Sequence, residues 1–390
     1  MTAVPPSTPL GTGQDARARE YENIQNGMFL GRLLVLFALL ALYQFSGASL
    51  TLAEGLRSRF GRWWPITNGL YTLITVFGFS ALMFPLSYYS DYLVERRFGL
   101  SKQSVEGWFL DYLKSLGIEL ALAAVFFEVV YALLRWAPAT WWLWSAAAYV
   151  LFAVVLSALA PVLILPWFHR IEPLEDVGLV EAVRSMAERA GLKVVGVFRW
   201  GLEEKTETAN AALAGLGRTR RILLGDTLLS GYTREEILAI LAHELGHYRH
   251  GDIRRLILVG AALAAAGFAL AHLVLRRLTA GVGFADPADI ATFPLLVFCL
   301  FLFSVVALPV SNAYSRRREF AADAHAVRIQ GTAEPLVSAL NKLAEQNLAM
   351  RQPPAWIELL LHGHPSIARR IARARQVEAG WPPPVAPPTP

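Results

Sequence analysis

Residues 241–252 read LAHELGHYRHGD, and within them His243, Glu244 and His247 have the spacing H-E-x-x-H. On a helix, residues four apart are turned by about 400°, so the two imidazoles leave one face and can share an ion, with Glu244 set to their side. Such nitrogens suit zinc, which takes three protein ligands at about 2.0 to 2.2 Å and keeps a fourth position for water. That water becomes acidic near neutral pH, and Glu244 would take its proton. Two histidines alone can equally be a polar patch on a helix. A third ligand distinguishes the two cases.

Downstream the chain reads NAYSRRREFAADAHA from Asn312, with Glu319 and Asp323 four apart and again on one helix face. Small alanines surround them and would let another helix come close. Glu319 can complete the ligand set, and Asp323 can accept the outer N–H of a ligand histidine and fix its tautomer. Alone, the two carboxylates would read as solvating groups beside Arg316, Arg317 and Arg318; with the histidines they read as the rest of a site. His272, isolated in an apolar run, and His325, in an alanine-rich helix, read as packing or hydrogen-bonding residues.

These residues need a scaffold, and the composition says of what kind. The 390 residues are 55% hydrophobic and 17% charged, with a mean hydropathy of +0.40. This is too apolar for an ordinary soluble domain and predicts a membrane protein. The net charge of +5 does not imply nucleic acid, because Lys and Arg sit at the ends of apolar runs rather than on one face. Cys299 lies inside an apolar run and reads as inert packing.

Crossing a hydrocarbon core takes about 20 residues. Six segments qualify: Met28 to Gly47, Pro65 to Tyr89, Leu116 to Trp136, Trp141 to Phe168, Leu256 to Leu275 and Phe293 to Pro309. The fourth is bracketed by WWLW and PWFH, as expected of interfacial aromatic belts. One side collects Arg17, Arg19, Arg96, Arg97, Lys102, Lys114 and the charges after His169; the other has Arg57, Arg59, Arg62, Arg276 and Arg277. The richer side is expected to face the cytoplasm and to carry both termini and the insert.

The expected organisation is a disordered tail over 1–27, spans one to four over 28–168 and a soluble insert over 169–255. Spans five and six follow over 256–312, C-terminal helices over 313–379 and a Pro-rich tail over 380–390. In the insert, 175–191 reads as a helix. LKVVGVF, Thr206 to Ala214 and RRILLGDTLL, the last ending at Gly225 or Asp226, read as strands. Thr233 with Glu236 forms a capping pattern that opens the H-E-x-x-H helix. Ser315 to Gln330 and Ala333 to Ala349 read as separate helices.

HELGH, together with NAYSRRREFAAD after a pair of spans, resembles the type I CAAX prenyl proteases, a family of integral-membrane zinc metallopeptidases. Further stretches are similar to that family's landmarks: YYSDYLVERRFGLSKQSVEGWFLDYLKSL, PWFHRIEPLED, NAALAGLGRTRRILLGDTLL and HPSIARRI, so that the resemblance runs from Tyr88 to Ile371. It implies a mainly α, polytopic bundle of about six spans enclosing a chamber, with a gluzincin-like protease domain containing a small β element. It implies one zinc per chain on His243, His247 and Glu319, with Glu244 as catalytic base and acid and Asp323 behind a ligand histidine. It further implies that Asn210 lies on an edge strand that pairs with extended substrate, and that His364 and Arg370 contact substrate and transition state. The implied substrate is a peptide or protein, with a C-terminal prenylated CAAX-type peptide as first choice and a damaged membrane protein as the alternative. Membrane lipids are the other expected partner, and the bacterial inner membrane the expected location. The chain departs from the family's eukaryotic members in Ala212 and Leu213 after the NA pair, in the lead-in GLEEKTETA, and in having six spans where they have seven. These departures put the substrate preference in question.

Overall fold

The computed structural model of the chain describes residues 12–61, 63–278 and 286–380. Helix α1 (Thr12–Phe45) is followed by α2 (Ala48–Phe60) and α3 (Trp64–Tyr88). A π-helical turn over Tyr89–Val94 leads to the single turn α4 (Glu95–Arg97). Then come α5 (Val105–Trp136), whose preceding Ser104 hydroxyl accepts from the Gly107 amide, and α6 (Trp141–Leu159). A second π-helical turn carries α6 into α7 (Leu165–Phe168). Strand β1 (Ile171–Pro173), helix α8 (Val177–Arg189), and strands β2 (Val197–Trp200), β3 (Ala211–Ala214) and β4 (Arg221–Gly225) come after it. Next are α9 (Asp226–Gly231), α10 (Arg234–Arg249), α11 (Asp252–Leu278) and α12 (Phe293–Gln330). Helices α13 (Glu334–Gln346), α14 (Ala355–Leu360) and α15 (Ile367–Ala379) complete the chain.

Among the described residues, six helices are long and apolar enough to cross a membrane, in the six places read from the sequence. At most 28% of any of their most apolar windows is buried. Most of this apolar surface is therefore not covered by protein, which is stable where hydrocarbon replaces water. Arg57 pairs with Asp289, and Arg135 donates to Ala288 O, at one end of the bundle; Arg97 with Glu20 and Lys102 with Glu207 pair at the other.

The protease layer sits at that second end. Its four-stranded sheet has the order β1-β2-β4-β3, with β2 and β4 parallel and the other pairs antiparallel. Leu179, Val183, Ile222, Leu224, Leu241, Val327, Leu340 and Ile371 are part of one core that joins α8, the sheet, α10, α12, α13 and α15.

The structure corrects several expectations. Residues 12–27, expected as a disordered tail, are helix and docked: Arg17 donates to Phe98 O at 2.6 Å, Tyr21 to Glu95 at 2.6 Å, and Glu22 accepts from the Met350 amide at 2.6 Å. Their polarity serves tertiary hydrogen bonds rather than solvation. Residues 1–11 and 381–390, where the two tails were expected, lie outside the described residues. The sixth span does not stop at Pro309. Proline lacks one N–H and costs one intrahelical bond, yet α12 runs on as one rod of 38 residues, about 57 Å long, because Asn312, Arg316, Glu319, Asp323 and Val327 are all buried along it. The strand read at LKVVGVF begins only at Val197, set by its pairing with Ile222, and of Thr206 to Ala214 only the last four residues are strand.

Candidate metal centre

Helix α10 is anchored before the site begins. Thr233 Oγ1 accepts from the Glu236 amide and Glu236 accepts from the Thr233 amide, a closed capping box. Glu236 is in turn held by Ser338 and Lys342 of α13. The helix then crosses α12 at Gly246, where a Cβ would stand 2.9 Å from Ala322 Cα and 3.1 Å from His325 Cβ. This close approach, made possible by glycine against alanine, brings two histidines of α10 to two carboxylates of α12.

Nε2 of His243 lies 3.5 Å from Glu319 Oε2, and Nε2 of His247 lies 3.4 Å from Glu319 Oε1. The two Nε2 atoms are 3.2 Å apart. One donor atom from each of these three residues lies within 4.8 Å of the others. Asp323, fully buried, accepts at 2.9 Å from Nδ1 of His243, which leaves Nε2 as a lone-pair donor turned to the shared point. Burial opposes charging of His243, but the hydrogen bonds of Asp323 and Glu319 outweigh it and push its pKa up to about 9. His247 is likewise raised: burial opposes, and Glu319 and Asp252 prevail.

The arrangement fits a metal ion on its own geometry. Glu319 Oε2 is buried, and the groups that approach it, His364 Nδ1 at 3.0 Å and His243 Nε2 at 3.5 Å, make no well-aligned hydrogen bond with it, which leaves a buried carboxylate poorly compensated. Two facing imidazole nitrogens and that oxygen need a cation between them. The N,N,O donor set is one zinc accepts.

Of the other expected residues, Glu244 is half-buried, and none of the ion pairs around the cluster engages it. Nδ1 of the largely exposed His364 comes within 3.0 Å of Glu319 Oε2. Arg370 makes a two-pronged pair with Asp323, Nε to Oδ2 at 2.9 Å and Nη2 to Oδ1 at 2.7 Å, and its Nη2 is 3.8 Å from Glu319. Asn210 is exposed and immediately precedes β3, the edge strand, its carbonyl accepting from the Gly225 amide at 2.9 Å.

One residue escaped the sequence reading. Asp252, 2% exposed, accepts from His247 Nδ1 at 3.0 Å and from Arg318 Nε at 2.6 Å. It is to His247 what Asp323 is to His243. On one continuous helix it would point about 140° away from His247. Gly251, with φ of +66°, breaks the helix and folds Asp252 back. The signal available was the Gly-Asp pair closing HELGHYRHGD.

Residues 173–378 match peptidase family M48. The chain belongs to that family. Residues 12–170 of this M48 peptidase match the five-helix membrane region described as the CAAX prenyl protease N-terminal part. It is 30% identical over 306 residues to CAAX prenyl protease 1 of Saccharomyces cerevisiae, covering 74% of this chain and 67% of that one. It is also 27% identical over 385 residues to the metalloprotease YhfN of Bacillus subtilis, covering 97% and 89%. In fold it resembles the crystal structure of Saccharomyces mikatae Ste24p, with a TM-score of 0.82 at 23% identity over 94% and 89% of the two chains. The M48 peptidase described here is therefore a multi-pass membrane metalloendopeptidase, with a metal cofactor and a peptide or protein substrate.

Proposed function

We propose that the metal is a single zinc ion held by His243, His247 and Glu319. The observation that carries this is the convergence of both Nε2 atoms on the buried Glu319 carboxylate, one on each oxygen. Zinc bound there supplies electrophilic polarisation of a carbonyl and a more acidic water. Glu244, in no ion pair among the described residues, takes the proton of the attacking water and returns it to the leaving amine. Asp323 and Asp252 hold the two ligand imidazoles in one tautomer and orientation. His364 offers its ring N–H to the oxyanion, a contribution often among the largest in acyl transfer. Arg370 commits Nε and Nη2 to Asp323, leaving Nη1 for the substrate. The free edge of β3, entered at Asn210, takes an extended peptide as an added strand.

For the substrate, the yeast relative's name points to a C-terminal CAAX peptide carrying an isoprenoid. A mainly apolar cavity of about 440 Å³ lies between α5, α6, α11 and α12, lined by Phe126, Tyr149, Leu300 and Phe303 and reaching Ser311. Ser311 stands eight residues before Glu319 on α12, about 12 Å along the helix. A lipid held there would leave its peptide near the metal. The bacterial relative is described only as a metalloprotease; the second reading is cleavage of membrane proteins without lipidation. The charge partition supports a protease layer that faces the cytoplasm, and the bacterial relative supports a bacterial inner membrane as its location.

One purified preparation assayed against a farnesylated peptide, its unlipidated twin and a misfolded membrane protein separates the readings. Preference for the farnesylated peptide supports the first; equal cleavage of both peptides rejects it. Glu244→Gln is expected to keep its zinc and lose turnover by about 10³-fold or more, and normal turnover would remove Glu244 from the mechanism.

A further inference from the structure

Three residues before Glu319 on α12 stands Arg316, 8% exposed. No step proposed above uses it. Burying a guanidinium costs several kcal/mol unless its donors are satisfied, and none of the ion pairs among the described residues engages this one. Instead Nη1 donates to the carbonyls of Glu358 at 2.8 Å and His362 at 2.6 Å, with Leu359 O at 3.4 Å. Asn312, one turn earlier on the same face, donates to Leu360 O at 2.9 Å. Glu358, Leu359 and Leu360 carry carbonyls that the end of α14 leaves without intrahelical partners, and His362 lies in the loop just beyond.

The chain just beyond α14 gives this cap its meaning. His362 and Gly363 lead directly to His364, whose Nδ1 is 3.0 Å from Glu319 Oε2. Gly363 lies against α12, where a Cβ would stand 3.6 Å from Asn312 Oδ1 and 3.7 Å from Ser315 Oγ. Glu358 also pairs with Arg369 at 2.5 Å, next to Arg370. One rigid helix thus bears the metal carboxylate and also the brace for the loop that faces it.

We infer that Arg316, assisted by Asn312, is a positioning residue: by capping α14 it fixes the loop that sets His364 against Glu319. The inference rests on the role given to His364 above. A misplacement of about 1 Å in a reacting group can cost on the order of 10²-fold in rate. Arg316→Met is therefore expected to lower kcat by about 10²-fold, with KM within about twofold and zinc content unchanged. Arg316→Lys, which keeps one donor, should recover part of the loss. Amide hydrogen exchange over residues 358–366 should quicken in Arg316→Met. Adding Arg316→Met to His364→Ala should slow the enzyme no further, because both remove the same contribution.

Should Arg316→Met fail to fold or to hold zinc, Asn312→Ala decides: about a tenfold fall in kcat with faster exchange at 358–366 supports the inference, and unchanged kcat overturns it. Full activity of Arg316→Met beside an impaired His364→Ala overturns the inference and leaves the role of His364 standing. Additive losses in the double variant overturn it as well. Full activity of His364→Ala refutes that role, and the inference falls with it.

Discussion

The crossing of α10 and α12 gives the sharpest test of how the metal centre is built. In Gly246→Ala the new Cβ would stand 2.9 Å from Ala322 Cα, 3.2 Å from Ala322 O and 3.1 Å from His325 Cβ. Carbon atoms pack at about 3.5 to 4.0 Å, so the helices must part by roughly 0.6 to 1 Å. Helix backbone and a Cβ cannot swing aside as a side-chain tip can. The donors come from both helices, and a metal site tolerates errors of about 0.2 Å in its bonds. Zinc affinity should therefore fall by about 10²-fold or more, at or beyond the upper end of what loss of an outer hydrogen bond costs. Folding of the chain should weaken by at most about 2.5 kcal/mol. Alanine gains about 0.5 to 1 kcal/mol over glycine within a helix, against about 1 to 3 kcal/mol for overpacking. The expected signature is lost metal and lost turnover in a protein that still folds. Gly55→Ala is the matched control, since its Cβ would meet nothing within 4 Å in α2. Zinc content after dialysis against a buffered free-zinc series, read beside peptide turnover, makes the measurement. Gly246→Ala holding zinc like the wild type would refute the claim that this close contact sets the ligand geometry.

Asp252→Asn keeps the shape of the side chain but removes the charge that orients His247 and balances Arg318. Its zinc affinity is expected to drop by about 10 to 100-fold in a competition titration with a chromophoric chelator, and an unchanged affinity would show that His247 needs no such partner. Glu319→Ala is expected to lose most of its zinc at concentrations that saturate the wild type. Wild-type protein stripped by chelation should recover activity when zinc is returned, while the variant should not, and equal metal content in the two would remove Glu319 from the ligand set.

Much of this site is legible in the sequence because its parts are local. His243 with His247, and Glu319 with Asp323, are pairs four apart whose common face follows from the helical repeat alone. The spans follow from runs of apolar residues long enough for a bilayer, and the start of α10 follows from a four-residue capping pattern. Each signal is complete within one turn or one segment.

Tertiary structure decided everything that joins distant residues. The polar run 12–27 gave no periodicity of its own, and it is helix because Phe98, Glu95 and Met350 supply partners for it. Pro309 looked like an end, and burial of the face beyond it overrode the one bond it costs. Asp252 reaches His247 only through the turn at Gly251, and Arg370 reaches Asp323 across 47 positions. Sequence spacing specifies directions within an element. The packing of one element on another chooses which carboxylate meets which imidazole, because only there do burial and charge make one pairing cheaper than the rest.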